Sequence, residues 1–420
     1  MTRNTLKFFV LLFSTFIFSQ SGTISPYSIA GLGEVNFRGT QINRFMGGLE
    51  IYNDSIHANL SNPSSYAKLK LTNYLIGLNY RINNLKGASE TKSIASAGLD
   101  YIGVAIPTRL FGFGFGIVPY TSVGYKLSSM ESEGSDEDIL NIFDGEGGIN
   151  KAFFSFGFNA LKYFSFGATI NYNFGQIIHE TGRFKDQVTL GTVVENKSSV
   201  SGLDLKFSSQ FEILVFKIME LHAMVSYQLQ ANLTSTNSRF YITRPYSLSS
   251  GFGEDLEIDL KNNGLDKTNI TIPDIFSFGL GLGKDRKWFV GAQYTINSMS
   301  NFSNKFMSLA EIDYQNAYQI SFGGFYIPDY SSITSYWKRI VFRMGFRHES
   351  TGVIVNNFGL KETGINFGFG LPLAGFSNTN IGFEYGVRGS GYDNTFKENF
   401  WSFRIGFSLN DKWFIKRKYN

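Results

Sequence analysis

The stretch that decides the fold lies near the C-terminus and reads Trp401-Ser402-Phe403-Arg404-Ile405-Gly406-Phe407-Ser408-Leu409. Apolar residues occupy every second position, and serine, arginine or glycine stands between them. A period of two is typical of a β-strand, because successive side chains point to opposite faces of a sheet. One face is strongly aromatic and the other is polar, which favours a barrel with lipid outside and water inside over a soluble sandwich.

The same alternation recurs along the chain and predicts further lipid-facing stripes: Phe164, Phe166, Ala168, Ile170, Tyr172 and Phe174; Phe276, Phe278, Leu280 and Leu282; Ile381, Phe383, Tyr385 and Val387. Candidate strands cover 69–82, 94–107, 110–121, 151–160, 163–175, 199–213, 219–234, 274–284, 287–297, 317–328, 338–349, 361–372, 379–389 and 400–410. The predicted fold class is therefore all-β: a transmembrane antiparallel β-barrel of about 14 strands, an even number as single-chain bacterial barrels require.

The connections between these strands alternate in length. Those at 107–109, 161–162 and 283–286 are tight, whereas 122–150, 176–198, 235–273 and 298–316 are long and polar. Barrels of the outer membrane have long external loops and short periplasmic turns. We therefore expect a protein of the outer membrane of a Gram-negative bacterium, with both ends of the mature chain in the periplasm.

Composition excludes several functional classes. The chain has 420 residues and no cysteine, which excludes disulfides, thiolate metal sites and a lipid-modified N-terminal cysteine. A net charge of +4 gives no indication of a nucleic-acid partner. His348, Glu349 and Ser350 are adjacent, so on a strand they point to alternate faces and cannot by themselves form a triad. We expect no enzymatic activity, no cofactor and no metal.

The chain divides into four predicted parts. Arg3 and Lys7 introduce the apolar run 8–18, which predicts a signal peptide at 1–21. Residues 22–68 are predicted to form a hatch in the lumen, 69–410 the barrel, and 411–420 a periplasmic basic aromatic tail. Such a tail suits either the lipid interface or the docking of a partner.

The hatch prediction depends on the polar, glycine-punctuated composition of residues 22–68 and on the width of a barrel of this size, which would leak if empty. Asn59, Asn62, Pro63 and Ser64 are the candidate hatch residues, because proline and asparagine fix turns. The alternative is a periplasmic tail without a gating role.

Alternation also predicts which charges face the lumen: Arg343, Arg347, Glu384, Arg388 and Arg404. Such groups either pair with each other across strands or hold the hatch or a substrate carboxylate through charge-assisted hydrogen bonds. A separate acidic stretch at 130–138 suits a solvated external loop. Calcium is the alternative for it, although its spacing matches no EF-hand.

Several motifs resemble a known family, the FadL-like outer-membrane transporters of the OmpP1/FadL/TodX type. Asn62-Pro63-Ser64 is similar to the Asn-Pro-Ala motif of the family's hatch, with serine in place of alanine, and Ile272-Pro273-Asp274 resembles its Pro-Asp element. The C-terminal third is most similar to the Bacteroidetes branch, through Ile327-Pro328-Asp329-Tyr330, Gly370-Leu371-Pro372-Leu373, Glu384-Tyr385-Gly386, Arg388-Gly389, Lys397-Glu398-Asn399 and 413–418.

This resemblance implies a fourteen-stranded barrel with a lumen hatch that admits hydrophobic small molecules, such as long-chain fatty acids, by passive uptake. A FadL-like relative also serves as a plug of the type 9 protein secretion translocon. The implied partners are therefore outer-membrane lipid, a hydrophobic small molecule and, in the alternative, a large translocon barrel.

Overall fold

The computed structural model describes residues 22–87, 91–132, 138–186, 188–216, 218–245, 254–307, 312–373, 377–389 and 395–413. The predicted signal peptide, the acidic residues 133–137 and most of the predicted tail, 414–420, lie outside the described residues. Within them the wall is a closed antiparallel barrel of fourteen strands, which confirms the predicted fold class and strand number.

The wall strands follow one another in chain order. They are β1 Thr72–Lys86, β2 Thr91–Pro107, β3 Phe111–Ser132, β4 Asp138–Leu161, β5 Phe164–Lys185, β6 Gly191–Val215, β7 Met219–Gln228 with Ala231–Arg244, β8 Lys267–Ile272 with Ile275–Lys284, β9 Trp288–Asn297, β10 Ala317–Tyr326, β11 Val341–Val355, β12 Phe358–Pro372, β13 Asn378–Arg388 and β14 Lys397–Asp411. β7 and β8 are each interrupted by two residues. The ring closes where β14 pairs with β1, from Thr72 opposite Asp411 to Lys86 opposite Lys397.

The two faces of the wall differ as the alternation predicts. Phe403 is 51% exposed, whereas its neighbour Ser402 is 1% exposed. Phe166 and Tyr172 on β5 likewise point outward, and Asn173 is buried inside. The hydrocarbon core of a membrane offers the backbone no hydrogen-bond partners. Strands with an apolar outer face can therefore lie in lipid only when each pairs with its neighbours in a closed barrel, as these do.

Short elements complete the described structure. They are the 3₁₀ turns Pro26–Ile29, Pro63–Lys68, Lys261–Asn263, Met299–Asn301 and Trp337–Arg339, the helix Gln41–Arg44, and the short strands Glu34–Val35, Asp255–Glu257, Ser303–Asn304 and Ile312–Tyr314. None of the helices in the described ranges has the length and apolar character needed to cross a bilayer.

Part of the predicted loop structure is wrong. Most of 122–150 and 176–198 is strand, because β3 and β4 pair from Pro119 opposite Asn150 up to Ser132 opposite Asp138, and β5 and β6 pair as far as Arg183 opposite Thr192. Backbone pairing continues beyond the lipid, where outward side chains no longer need to be apolar. The aromatic alternation therefore ends before the strands do.

Residues 22–71, which we call the N-terminal segment, lie inside the barrel. The turn Pro63–Lys68 lies against β2 to β6, and the helix Gln41–Arg44 lies against β12, β13 and β14. These two groups of strands are on different sides of the ring, so the segment crosses the lumen. Phe45, Met46 and Tyr66 are at most 1% exposed. The segment thus provides much of the core of the barrel.

Candidate functional site in the barrel lumen

Asn62 joins the N-terminal segment to β6. Its Oδ1 accepts hydrogen bonds from the hydroxyls of Ser64 and Ser208, both at 2.7 Å, and its Nδ2 donates to Oε1 of Gln210 at 2.7 Å. Pro63 begins the 3₁₀ turn, where the missing amide hydrogen costs nothing. One asparagine therefore caps the turn and holds it on the wall.

Of the other two predicted hatch residues, Ser64 lies in the same turn and Asn59 precedes it. Asn59 donates from Nδ2 to the carbonyl oxygens of Glu50 at 2.7 Å and Tyr52 at 3.0 Å. The backbone amide of Ser64 donates to the Ser208 hydroxyl at 2.8 Å. Asn59 therefore holds the segment to itself, whereas Asn62 and Ser64 hold it to the barrel.

Two wall glycines allow the backbone of the segment to approach closely. A Cβ atom at Gly345 would lie 1.9 Å from the backbone nitrogen of Gly47, and one at Gly167 would lie 2.3 Å from the carbonyl carbon of Pro63. No larger residue fits at either position unless the segment moves. The absence of a side chain at Gly345 and Gly167 therefore allows the N-terminal segment to pack against the wall.

The predicted lumen charges form a network that includes the N-terminal segment. Arg44 of the segment bonds Glu384 through two contacts of 2.8 and 2.7 Å, and Arg347 bonds the same carboxylate at 2.9 Å. Arg347 also pairs with Glu362. Charged hydrogen bonds of this kind are stronger than neutral ones.

A second part of the network is centred on Glu34 of the segment. Arg388 Nη2 lies 2.5 Å and Arg81 Nη1 2.6 Å from Glu34 Oε1. Arg388 also pairs with Glu362 at 2.5 Å, which connects this group to Arg347. The charges therefore pair with each other and also hold the segment.

The two other predicted lumen arginines have different partners. Arg404 Nη1 pairs with Asp100 Oδ2 at 2.8 Å, and its Nε lies 3.8 Å from Glu384. Arg343 donates to Oδ1 of Asn380 at 2.9 Å. Both side chains point into the lumen, but neither binds a charged residue of the segment.

Glu34 and Arg44, the two segment residues in this network, have pKa values shifted from their ordinary values. Burial raises the pKa of Glu34, but Arg388 and Arg81 outweigh it and hold the pKa well below 4.5. Burial and the neighbouring Arg347 lower the pKa of Arg44 to about 10, against the opposing effect of Glu384. At neutral pH both groups remain ionised, so the ion pairs persist.

Lys151 and Asp204 form a buried ion pair that the sequence predictions missed. Their side chains are at most 1% exposed and lie 2.6 Å apart. Asn171 and Asn173 donate to the same carboxylate at 2.7 and 2.8 Å. The signal was present, because Asp204 stands between Leu203 and Leu205 just as Glu384 stands between two stripe residues.

A cavity of about 220 Å³ separates the segment from the wall on the loop side. Its lining is mainly apolar and includes Ala30, Leu32, Val35, Ile272, Met299 and Phe302. An apolar cavity of about 150 Å³ already holds a benzene ring. This cavity therefore has room for a small hydrophobic molecule.

Arg38 is one of the residues that line that cavity. It also lines a second cavity of about 40 Å³, together with Lys151 and Lys206. Lys151 is paired with Asp204 and Lys206 with Glu50, whereas Arg38 donates to Gln228 Oε1 at 2.6 Å and has no carboxylate partner among the described residues. The lumen here carries one uncompensated positive charge.

Solved structures of several transporters share this fold. The toluene transporter TodX of Pseudomonas putida is 14% identical, with a TM-score of 0.60, over 90% of this chain and 99% of that one. The toluene transporter TbuX of Ralstonia pickettii is 12% identical, with a TM-score of 0.58, over 89% and 98%. A FadL homologue of Pseudomonas aeruginosa is 11% identical, with a TM-score of 0.55, over 90% and 99%. At these identities the likeness establishes the fold.

No curated protein is significantly similar to the chain. The family model of BamG, in contrast, matches residues 1–420, the whole sequence. The chain thus has the fold of these transporters, with its own N-terminal segment in the lumen, and it belongs to the BamG family.

Proposed function

We propose that this protein is an outer-membrane channel for passive uptake of hydrophobic small molecules, with both mature termini in the periplasm. The observation that carries the proposal is the apolar cavity of about 220 Å³ between the N-terminal segment and the wall. Ligand sites are typically concave and apolar, with a few polar groups that orient the ligand. The similar TodX and TbuX barrels are named as toluene transporters, which is consistent with this class of ligand.

Arg38 supports a narrower ligand class, a fatty acid or a similar amphiphile. A carboxylate beside Arg38 would supply the partner that Arg38 lacks among the described residues, while the acyl chain would occupy the apolar part of the cavity. The ligand would arrive from the loop side, and the N-terminal segment, acting as a hatch, would shift to release it. Binding would then favour a conformation that the free protein already samples.

Binding of decanoate and decan-1-ol to the purified protein, measured by calorimetry, tests this proposal. We expect both to bind, because both carry the same chain, and decanoate to bind more tightly. Arg38→Met should weaken decanoate about tenfold or more, as a charged hydrogen bond contributes about 1.5–3 kcal/mol, and leave decan-1-ol unchanged. Arg286→Met, at an exposed residue outside the cavity, is the matched control.

Uptake requires a separate measurement. Proteoliposomes should take up decanoate faster than empty vesicles, and Leu32→Trp, which fills the cavity, should abolish the difference. Failure of both probes to bind would refute the channel. Binding without any dependence on Arg38 would refute only the carboxylate site.

The packing of the lumen favours a second candidate, a barrel that plugs or accompanies the type 9 secretion translocon. Phe45, Met46 and Tyr66 of the N-terminal segment are at most 1% exposed, so the segment is tightly packed inside the barrel. Affinity purification from the native membrane, followed by mass spectrometry, tests it. Co-purification with a much larger barrel would support this candidate, and recovery of the protein alone with lipid in its lumen would count against it.

A further inference from the structure

The wall of the barrel is incomplete between β2 and β3 on the loop side. These strands pair only from Pro107 opposite Gly112 to Ile102 opposite Ile117. Beyond that point β2 continues to pair with β1 as far as Thr91, and β3 continues to pair with β4 as far as Ser132. Each strand therefore has one neighbour instead of two, and the two open edges face each other.

The opening begins within the apolar band of the wall and continues above it. Ile102 and Ile117 are 47% and 41% exposed and are the last residues that pair directly between these strands, and Leu99 beyond them on β2 is still 38% exposed. Above them the exposed side chains include Lys92, Lys126 and Ser128. Unpaired strand edges are not tolerated in hydrocarbon. The polar side chains place the upper part of these edges, from Lys126 of β3 onward, in the water beyond the outer face of the membrane, whereas the lower part of the β3 edge pairs with the N-terminal segment.

The direction of the backbone groups on β3 follows from contacts at the lower end of the opening. The carbonyl oxygen of Tyr120 accepts from the Asn36 amide at 2.9 Å, and the amide of Gly124 donates to the Ser28 hydroxyl at 3.1 Å. Since peptide groups alternate along a strand, the amides of Lys126 and Ser128 point the same way. Among the described residues neither amide has a partner on that side.

The N-terminal segment already uses the lower end of this edge. Its short strand Glu34–Val35 pairs with β3, with Glu34 opposite Ser122 and Val35 opposite Thr121. The segment then turns away and leaves the next part of β3 open. This edge therefore accepts an added strand within the chain itself.

A cleft of about 1370 Å³ occupies the opening. Tyr125 and Leu127 line it and pack with the apolar cluster of the lumen, whereas Lys92 and Lys126 line it and are exposed. The open edge from Val123 to Met130 has a length of about 26 Å at 3.3 Å per residue. A strand with one apolar and one polar face would match both sides of the cleft.

We propose that this cleft is a docking site for an extended polypeptide strand of another protein, which adds to the open edge of β3. The unpaired amides and carbonyls call for a partner with alternating donors and acceptors at strand spacing, which a polypeptide backbone has and an acyl chain lacks. Strand addition of this kind obtains affinity from the main chain and specificity from alternate side chains. The site is separate from the cavity proposed for small ligands.

The test uses the full-length purified protein and a synthetic peptide with the sequence of residues 138–147. This is the stretch of β4 that pairs with the other edge of the same part of β3. We expect saturable binding by fluorescence anisotropy, and a ¹³C-labelled peptide should give the infrared band of a paired β-strand. Ser128→Pro should weaken binding tenfold or more, because it removes an amide that points into the cleft without affecting the pairing with β4.

Ser128→Ala is the matched control and should bind as the wild type does, since its amide is retained. Equal binding by the proline variant, or no binding of the peptide to the wild type, would overturn the proposal. So would a dimer of the protein that Ser128→Pro abolishes, because a second copy would then be the occupant.

A second measurement tests whether the cleft is open. If β2 and β3 paired directly in their existing register, nine further residues along each strand would place Ser93 opposite Lys126. The chain has no cysteine, so the double variant Ser93→Cys with Lys126→Cys is free of competing thiols. No disulfide should form, because one requires Cα atoms about 4.4–6.8 Å apart. Complete disulfide formation would show a closed wall and overturn the proposal.

Discussion

Arg44 and Glu384 form an ion pair with two contacts, Nε to Oε2 at 2.8 Å and Nη2 to Oε1 at 2.7 Å, between residues 340 positions apart. Arg44 belongs to the N-terminal segment and Glu384 to β13, so the pair ties the contents of the lumen to its wall. Arg347 binds the same carboxylate at 2.9 Å. Two buried arginines, Arg44 and Arg347, therefore share the Glu384 carboxylate.

Glu384→Gln should destabilise the protein strongly. The substitution leaves Arg44 and Arg347 buried without their shared charge, and breaking a buried pair costs about 3–5 kcal/mol. The free energy of unfolding in detergent, measured by denaturant titration, should fall by that amount. Asp285→Asn is the control, since Asp285 is 72% exposed and its ion-pair partner among the described residues is exposed Arg286. It should change stability by about 1 kcal/mol or less. Equal effects of the two substitutions would contradict the importance of the lumen pair.

The contribution of Glu34 should depend on pH. Because its pKa in the folded protein lies below the ordinary 4.5, Glu34 stabilises the fold fully above that pH and loses the contribution as pH falls further. The difference in unfolding free energy between wild type and Glu34→Gln should be constant from pH 8 to about 5 and narrow below about 4.5. A difference that widened on acidification would have the wrong sign for this ion-pair arrangement.

Asn62→Ala should loosen the N-terminal segment. The variant loses the cap of the turn Pro63–Lys68, worth about 0.5–2 kcal/mol, and the bonds to Ser208 and Gln210. Limited proteolysis of the folded barrel should cut residues 22–71 faster than in the wild type. Asn262→Ala, at an exposed loop residue, should leave the pattern of fragments unchanged. A segment equally resistant in both variants would argue against a tether at Asn62.

Gly345→Ala should displace the segment without altering any charge. The added methyl would overlap the backbone of Gly47, at 1.9 Å from its nitrogen. Gly98→Ala is the matched control, because the nearest atom to its Cβ is an Asn79 side-chain atom at 3.6 Å. We expect a lower thermal midpoint and faster proteolysis for Gly345→Ala than for Gly98→Ala. Indistinguishable melting curves would show that the segment does not approach Gly345 this closely.

Much of the wall was predictable because its signal is local. Each lipid-facing stripe repeats every two residues, so the alternation from Trp401 to Leu409 identified β14 without knowledge of its partners. The same alternation placed Glu384 and Arg388 on the inward face. The alternation did not predict the parts of β3 and β4 above the membrane, where the outward residues are polar. An apolar residue at every second position marks contact with lipid, whereas backbone hydrogen bonding between strands does not require it.

The partners of the inward residues were not predictable in the same way. Nothing near Glu34 in the chain points to Arg388, which is 354 positions away, or to Arg81. Arg38 is not part of any recognisable motif. Its role in the proposed ligand site depends on the pairing of the neighbouring Lys151 with Asp204 and of Lys206 with Glu50. The open edge of β3 is likewise invisible to any pattern, since it is the absence of a neighbouring strand.

The sequence by itself determined the fourteen-stranded barrel, its two faces and the charges that point inward, because period-two alternation is a property of neighbouring residues in an extended chain. The tertiary structure alone decided what fills the lumen, which charges pair, where a cavity remains and where the wall opens. Those features depend on contacts between residues distant in sequence, and only closure of the barrel brings these residues together.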